Sequence, residues 1–130
     1  MATPPKAAYE ILVVDDEPTV CKAIQMMLKY YGHEVQVAYD GDAALALFEA
    51  AQFDLVITDY LMPEMRGDEL VTRMKKCRPA QRIIMVTAFA EDFLSQGKPT
   101  GGVNLVLNKP FSLEELRVAI MKVMADGRGA

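Results

Sequence analysis

The stretch ILVVDD, residues 11–16, decides the fold, because four consecutive apolar residues end abruptly in two aspartates. A short apolar run rich in β-branched residues is typical of a strand that is buried on both faces of a parallel sheet. Pro18 follows at a position that suits the first turn of a helix, where its missing N–H costs little. The stretch therefore predicts a buried strand that leads through an acidic turn into a helix.

The rest of the chain repeats this alternation of apolar runs and amphipathic stretches. We predict five strands, at residues 11–14, 35–38, 53–58, 83–86 and 103–107. Four helices are predicted to begin at Pro18, after an Asp40 N-cap, at Gly67, and after a capping box of Ser112 and Glu115. The apolar stripe of the first helix is expected to comprise Val20, Ala23, Ile24, Met27, Leu28 and Tyr31. Because parallel neighbours need crossover connections, this order predicts an α/β fold with helices on both faces of a five-stranded parallel sheet.

The interval between the fourth and fifth strands departs from the pattern. Glycine or proline stands at positions 97, 99, 101 and 102, and both residue types oppose helix formation. We predict only a short or irregular helix here, at residues 91–96. Residues 1–8 are expected to form a flexible leader, residues 9–125 one domain, and residues 126–130 a flexible tail.

Composition and charge narrow the functional classes. The 130-residue chain is 52% apolar with a net charge of −4, which argues against nucleic-acid binding because that needs a basic face. No apolar run approaches the roughly 20 residues of a membrane span, and no signal peptide is recognisable, so we expect a cytoplasmic protein. Cys21 and Cys77 are too far apart for a disulfide or metal framework, and we expect reduced thiols, with Cys21 near the polar side of its helix.

Polar side chains stand where the buried strands end. The first strand ends in Asp15 and Asp16, the third in Asp59, the fourth in Thr87 and the fifth before Lys109. Ligands of such sheets bind beyond the carboxyl ends of the strands. Three neighbouring carboxylates repel one another unless a cation balances them, and Mg²⁺ prefers oxygen ligands. A cation, an ammonium and a hydroxyl around one carboxylate are the groups that stabilise a transferring phosphoryl group.

Four motifs in register with these strand ends make the chain similar to response-regulator receiver domains, the phosphorylation switches of two-component signalling. The motifs are DDE at 15–17, DYLMP at 59–63 followed by Gly67, VTA at 86–88 and NKPF at 108–111. The resemblance spans residues 10–124 and implies the flavodoxin-like strand order 2-1-3-4-5. It also implies a phosphohistidine donor, on a histidine kinase or a histidine phosphotransfer protein. The phosphorylated domain would act on an unidentified downstream protein. The chain would be a monomer or a weak phosphorylation-dependent dimer.

The resemblance implies a role for each matching acidic residue. Asp59 would be the phosphoacceptor. Asp16, Asp59 and the backbone carbonyl of Leu61 would bind Mg²⁺ or Mn²⁺ directly, and Asp15 would hold the ion largely through water. Such a module assists its own phosphorylation and slow dephosphorylation and is otherwise not an enzyme.

The remaining motif residues are expected to serve the attached phosphoryl group. Thr87 would hydrogen-bond it, Lys109 would pair with another of its oxygens, and the Lys109–Pro110 peptide bond would be cis. Receivers usually carry Tyr or Phe where this chain has Val106, a ring that moves inward with the hydroxyl at the Thr87 position. Valine has no ring to move, so this coupling is in doubt, and Phe89 or Phe93 is a candidate substitute.

Two positions tune the lifetime of the acyl phosphate in this family, and here they are Leu61 and Phe89. Apolar groups cannot orient a hydrolytic water and can shield the phosphoryl group. We therefore expect slow self-dephosphorylation, which Leu61→Asn should hasten.

Three other functional classes compete with this interpretation. A pseudo-receiver that only binds a partner is kept open by Val106, although the complete acidic set with Lys109 argues against it. A haloacid-dehalogenase-like phosphohydrolase would carry a second aspartate at the position of Leu61. A flavodoxin would need a Ser, Thr and Gly-rich phosphate loop where residues 15–17 are acidic.

His33, in a Gly-His-Glu turn, is expected to be a surface residue rather than a catalytic base.

Overall fold

The computed structural model describes residues 8–90 and 102–126. Within them, five parallel strands form one sheet in the order β2-β1-β3-β4-β5, as the resemblance implied. The elements are β1 (Glu10–Val14), α1 (Pro18–Tyr30), β2 (Glu34–Ala38), α2 (Gly41–Ala50), β3 (Leu55–Asp59), α3 (Gly67–Cys77), β4 (Arg82–Thr87), β5 (Leu105–Asn108) and α4 (Leu113–Asp126). None of the helices in these two ranges has the length and hydropathy needed to cross a bilayer.

Two apolar clusters cover the two faces of the sheet, because successive strand residues point to opposite sides. On β1, Ile11 and Val13 pack with α1 and α4, whereas Leu12 and Val14 pack with α2 and α3. All four residues are fully or almost fully buried. The prediction of helices on both faces is therefore confirmed.

The predicted helix starts are confirmed by their local hydrogen bonds. Pro18 is the first residue of α1, and the Asp40 carboxylate accepts a hydrogen bond from the Ala43 amide at 2.7 Å. Ser112 and Glu115 form the reciprocal capping box, in which each backbone N–H donates to the other side chain.

The structure confirms most of the predicted apolar stripe of α1 and corrects it at two positions. Its buried residues are Cys21, Ile24 and Leu28, whereas Ala23 is exposed. Val20 and Met27 are partly buried and pack against the same apolar cluster, so most of the predicted stripe is confirmed, whereas the expectation that Cys21 lies near the polar side is wrong. Cys21 lies three residues before Ile24 and seven before Leu28, so the helical repeat places it on the same face.

Two strands begin later than predicted. Pairing of β3 starts at Leu55 rather than Phe53, and pairing of β5 at Leu105 rather than Val103. Phe53 and Val103 are buried, so their hydrophobicity is satisfied without sheet pairing. The helix expected at residues 91–96 and the loop up to Gly101 lie outside the described residues, as do residues 1–7 and 127–130.

Candidate functional site

The carboxyl edge of the sheet brings three predicted aspartates together. Asp15 and Asp16 follow β1, Asp59 ends β3, and one carboxylate oxygen from each lies within 4.8 Å of the others. Asp15 is fully buried and Asp59 is nearly so. The adjacent parallel pairing of β1 with β3 causes this convergence, because it aligns the ends of both strands. The cluster offers oxygen ligands only, which suits a hard divalent cation.

Lys109 reaches the same cluster from the loop after β5. Its ammonium lies 2.9 Å from an Asp15 oxygen and 3.3 Å from an Asp59 oxygen. Burial alone would lower the pKa of Lys109, but the hydrogen bond to Asp15 and the charges of both aspartates outweigh burial and raise it. The side chain is therefore a fixed positive charge between two carboxylates that come from separate strands.

The pKa of Asp59 is raised to about 6. Burial is the main cause and the charge of Asp15 adds to it, while Lys109 and the backbone N–H of Tyr60 act in the opposite direction. One ammonium thus does not fully compensate the carboxylates. The donor set fits an additional cation, which would lower the pKa of Asp59 and favour its ionised form.

Thr87, at the end of β4, is 1% exposed. Its hydroxyl oxygen accepts a hydrogen bond from the Phe89 amide at 3.1 Å, and its carbonyl accepts one from the Lys109 amide at 2.9 Å. The second bond extends the contact between β4 and β5 beyond their paired residues. It fixes the strand ends that carry Thr87 and Lys109 side by side.

The loop after Asp59 packs closely against the end of β3. The Gly67 amide donates to the Tyr60 carbonyl at 2.7 Å, and a Cβ at Gly67 would collide with the Asp59 carbonyl oxygen. Only glycine permits this approach. Met62 and Met65 are buried and fill the core beside α2, in agreement with core filling as the usual role of methionine.

The predicted tuning residues occupy different surroundings. The side chains of Leu61 and Phe89 are 47% and 53% exposed, respectively. Val106 is half-buried and packs against the apolar cluster that α2 and α3 form with the sheet. The Lys109–Pro110 peptide bond is cis, as expected. Phe89 does not occupy the interior position that an inward-turned ring would fill, and Phe93 lies outside the described residues.

Two residues near the site were not singled out for the site by sequence reasoning. The Cys21 thiol donates to the Asp15 carbonyl at 3.3 Å, and burial followed by the charge of Asp15 raises its pKa to about 11. This protonated thiol supports the Asp15 backbone. Asn108 accepts from the Ala90 amide and donates to the Lys109 carbonyl. Asn108 is the first residue of the NKPF motif, but the motif alone assigned it no role.

Comparisons with known proteins agree with this geometry. Residues 11–121 match the family described as response regulator receiver domain. The chain is 34% identical over 123 residues to the transcriptional regulatory protein ZraR of Salmonella typhimurium, covering 95% of this chain and 28% of that protein. The chain spans less than half of the length of ZraR and of two further curated relatives, the regulatory protein TrcR and the probable regulatory protein TcrX of Mycobacterium tuberculosis.

Two solved structures superpose on most of this chain. The chemotaxis protein CheY4 of Vibrio cholerae superposes with a TM-score of 0.84 at 32% identity, covering 90% of this chain and 99% of that one. The response regulator TrrA of Thermotoga maritima, in complex with Mg²⁺ and BeF, gives a TM-score of 0.80 at 30% identity and covers 88% and 97% of the two chains.

Proposed function

The chain belongs to the response regulator receiver domain family, and from that premise we propose that Asp59 is the residue that accepts the phosphoryl group. The observation that supports this assignment is the position of Lys109 between Asp15 and Asp59 at the carboxyl edge of the sheet. Asp59 is the carboxylate in this cluster whose oxygen contacts Lys109 while the residue keeps 7% exposure, whereas Asp15 is closed to solvent. A nucleophile must be reachable by its phosphodonor, and Asp59 meets this requirement better than Asp15.

The acidic cluster is suited to Mg²⁺ or Mn²⁺, which would neutralise charge on the transferring group and the carboxylates. Asp16 and Asp59 are the proposed direct ligands, with the Leu61 carbonyl as a third. Asp15 already accepts from Lys109 and from the Glu17 amide. Its remaining lone pairs are better suited to orienting metal-bound water than to direct coordination.

The reaction requires little covalent chemistry from the protein. An Asp59 oxygen forms a bond to phosphorus as the N–P bond of a phosphohistidine breaks, and the imidazole leaves with that electron pair. Lys109 can follow the new negative charge, because its ammonium already lies 3.3 Å from Asp59. Thr87 has a hydroxyl proton to donate while its oxygen accepts from Phe89. The donor is proposed to be a histidine kinase or a phosphotransfer protein.

Phosphorylation is proposed to shift the balance between two conformations and so change a protein-binding surface. The exposed Leu61 and Phe89 flank the site, and their lack of polar groups favours a long-lived acyl phosphate. The phosphohydrolase alternative lacks its second acid, because Leu61 occupies that position.

Intact mass tests the assignment of Asp59. After incubation with Mg²⁺ and acetyl phosphate, the protein should gain about 80 Da, the mass added by one phosphoryl group per chain. Asp59→Asn should abolish the gain. Asp54→Asn is the matched control, because Asp54 lies directly before the same strand but at its opposite end, and it should retain the gain.

Chelation of the metal should also abolish the gain in the wild-type chain. Binding of Mg²⁺ without phosphorylation by acetyl phosphate or by a phosphohistidine donor would instead favour a pseudo-receiver. Equal mass gains in Asp59→Asn and the wild type would place the phosphoryl group on another residue.

A further inference from the structure

The turn after β4, residues 88–90, is connected by side-chain hydrogen bonds to both neighbouring strand ends. The Phe89 amide donates to the Thr87 hydroxyl, and the Ala90 amide donates to Asn108 Oδ1 at 3.3 Å. Ala90 is buried, whereas Phe89 is half-exposed. The second bond joins residues that are 18 positions apart, so it is a tertiary contact rather than a local turn.

The Asn108 side chain forms a second bond on its other side. Its Nδ2 donates to the Lys109 carbonyl at 3.1 Å. We define these two bonds, from Ala90 to Asn108 and from Asn108 to Lys109, as the Asn108 clasp. A carboxamide is planar, so its oxygen and nitrogen move together. A displacement of the Lys109 carbonyl therefore changes the bond to Ala90.

Lys109 is a charged residue in direct contact with Asp59, so a change of charge at Asp59 acts on it directly. Its ammonium contacts both Asp15 and Asp59, and its amide donates to the Thr87 carbonyl. An acyl phosphate places its charge on oxygens that lie farther from β3 than the Asp59 carboxylate. The ammonium is drawn toward those oxygens, and the displacement reaches the Lys109 backbone.

We propose that Asn108 is a positioning residue that couples the phosphorylation state of Asp59 to the turn at residues 88–90. The inference rests on the proposed phosphorylation of Asp59. Val106 lies on the same strand two residues earlier, packs by aliphatic contacts, and has neither a ring nor a polar group that could relay the change. The Asn108 clasp provides a polar connection from Lys109 to the turn that does not pass through Val106.

Asn104 offers a matched control at the opposite end of the same strand. Its Oδ1 accepts from the Ile83 amide at 2.8 Å, so it also connects the β5 segment to β4 through a side-chain oxygen. Both asparagines are exposed, so Asn108→Ala and Asn104→Ala should both fold. Asn104 lies far from Asp59 along the strand direction, and its removal tests for a general loosening of β5.

Amide chemical shifts of the full chain test the proposal, with beryllofluoride in the presence of Mg²⁺ as a mimic of the acyl phosphate. In the wild type, the amides of Asp59, Thr87 and Ala90 should all shift. In Asn108→Ala, Asp59 and Thr87 should still shift, whereas Ala90 should lose most of its change. Asn104→Ala should keep the complete wild-type response.

An unchanged Ala90 response in Asn108→Ala would overturn the proposal. An equal loss in Asn104→Ala would also overturn it, because loosening of the strand would then explain the effect. If the wild-type Asp59 and Thr87 amides do not respond to beryllofluoride, the proposed function itself fails, and the coupling fails with it.

Discussion

Polar and charged side chains are arranged differently at the two ends of the sheet. At the carboxyl end, Asp15, Asp16 and Asp59 are crowded around one lysine, and burial raises the pKa of Asp59. At the amino end, two side-chain oxygens each accept a hydrogen bond from a backbone amide of a neighbouring strand. Asp54 accepts from the Glu10 amide, and Asn104 accepts from the Ile83 amide.

The difference places the unfavourable electrostatic interactions of the fold at the carboxyl end of the sheet. The two side-chain oxygens at the amino end each join neighbouring segments of the sheet, and their hydrogen bonds stabilise the fold. The carboxyl end leaves its charge incompletely balanced, which disfavours the metal-free fold but favours the binding of a cation. The carboxyl end should therefore respond strongly to charge, metal and pH, and the amino end only weakly.

The largest effect is expected from removing the lysine charge. In EDTA at neutral pH, Lys109→Met should lower the free energy of unfolding by about 3 to 4 kcal/mol, because it leaves Asp15 and Asp59 buried without their cationic partner. Urea denaturation measures the change, and added Mg²⁺ should restore more stability to the variant than to the wild type.

An exposed ion pair provides the control. Arg73 contacts Glu69 at 2.8 Å, but both side chains are about half exposed. Arg73→Met should therefore change the free energy of unfolding by less than about 0.5 kcal/mol. Similar losses in the two variants would contradict the contrast between a buried and a solvated charge.

A smaller effect of the opposite sign is expected for Asp59→Asn. The pKa of Asp59 in the folded chain is about 6, above its ordinary value of 3.8, so the folded state binds this proton more tightly than the unfolded state does. Ionisation of Asp59 therefore destabilises the wild type as pH rises through this interval, and asparagine cannot ionise. In EDTA the variant should be more stable at pH 7.5 by about 2 kcal/mol, with the advantage vanishing near pH 4.

Denaturation of both chains across this pH range measures the difference. Mg²⁺ should reduce the advantage of Asp59→Asn, because the wild-type carboxylate gains a ligand that the amide replaces poorly. A difference that stays constant with pH would show that Asp59 is not titrating in the folded state.

Sequence reasoning found the site more accurately than it found the packing around it. Asp15, Asp59 and Lys109 were predictable because parallel strands with buried runs must end at a common edge, and a motif fixes their positions within the chain. Strand pairing alone then brings them together.

Features that depend on exact rotation or on side-chain hydrogen bonds were not predictable. The burial of Cys21 depends on the exact rotation of α1 about its own axis, which hydrophobic spacing cannot resolve. The bonds of Asn104 and Asn108 depend on where β5 starts and ends relative to β4, and the predicted start of β5 was two residues early. His33, expected at the surface, is half-buried and contacts Tyr9 through both its ring and its Nδ1 atom.

The smallest effect is expected at the amino end, from His33. Its Nδ1 accepts from the Tyr9 amide at 3.0 Å, and burial lowers its pKa below the ordinary 6.5. The stabilising contribution of His33 is therefore complete above pH 6.5 and is lost as pH falls through the lowered pKa, because protonated Nδ1 cannot accept a hydrogen bond. Relative to His33→Asn, whose amide oxygen keeps an acceptor, the wild type should lose about 1 kcal/mol between pH 7.5 and pH 5. Urea denaturation of the two chains measures this difference.

Both chains should gain the same mass with acetyl phosphate at neutral pH, because His33 lies at the opposite end of the sheet from Asp59. A reduced gain in His33→Asn would show that the two ends are coupled, and the contrast between them would fail.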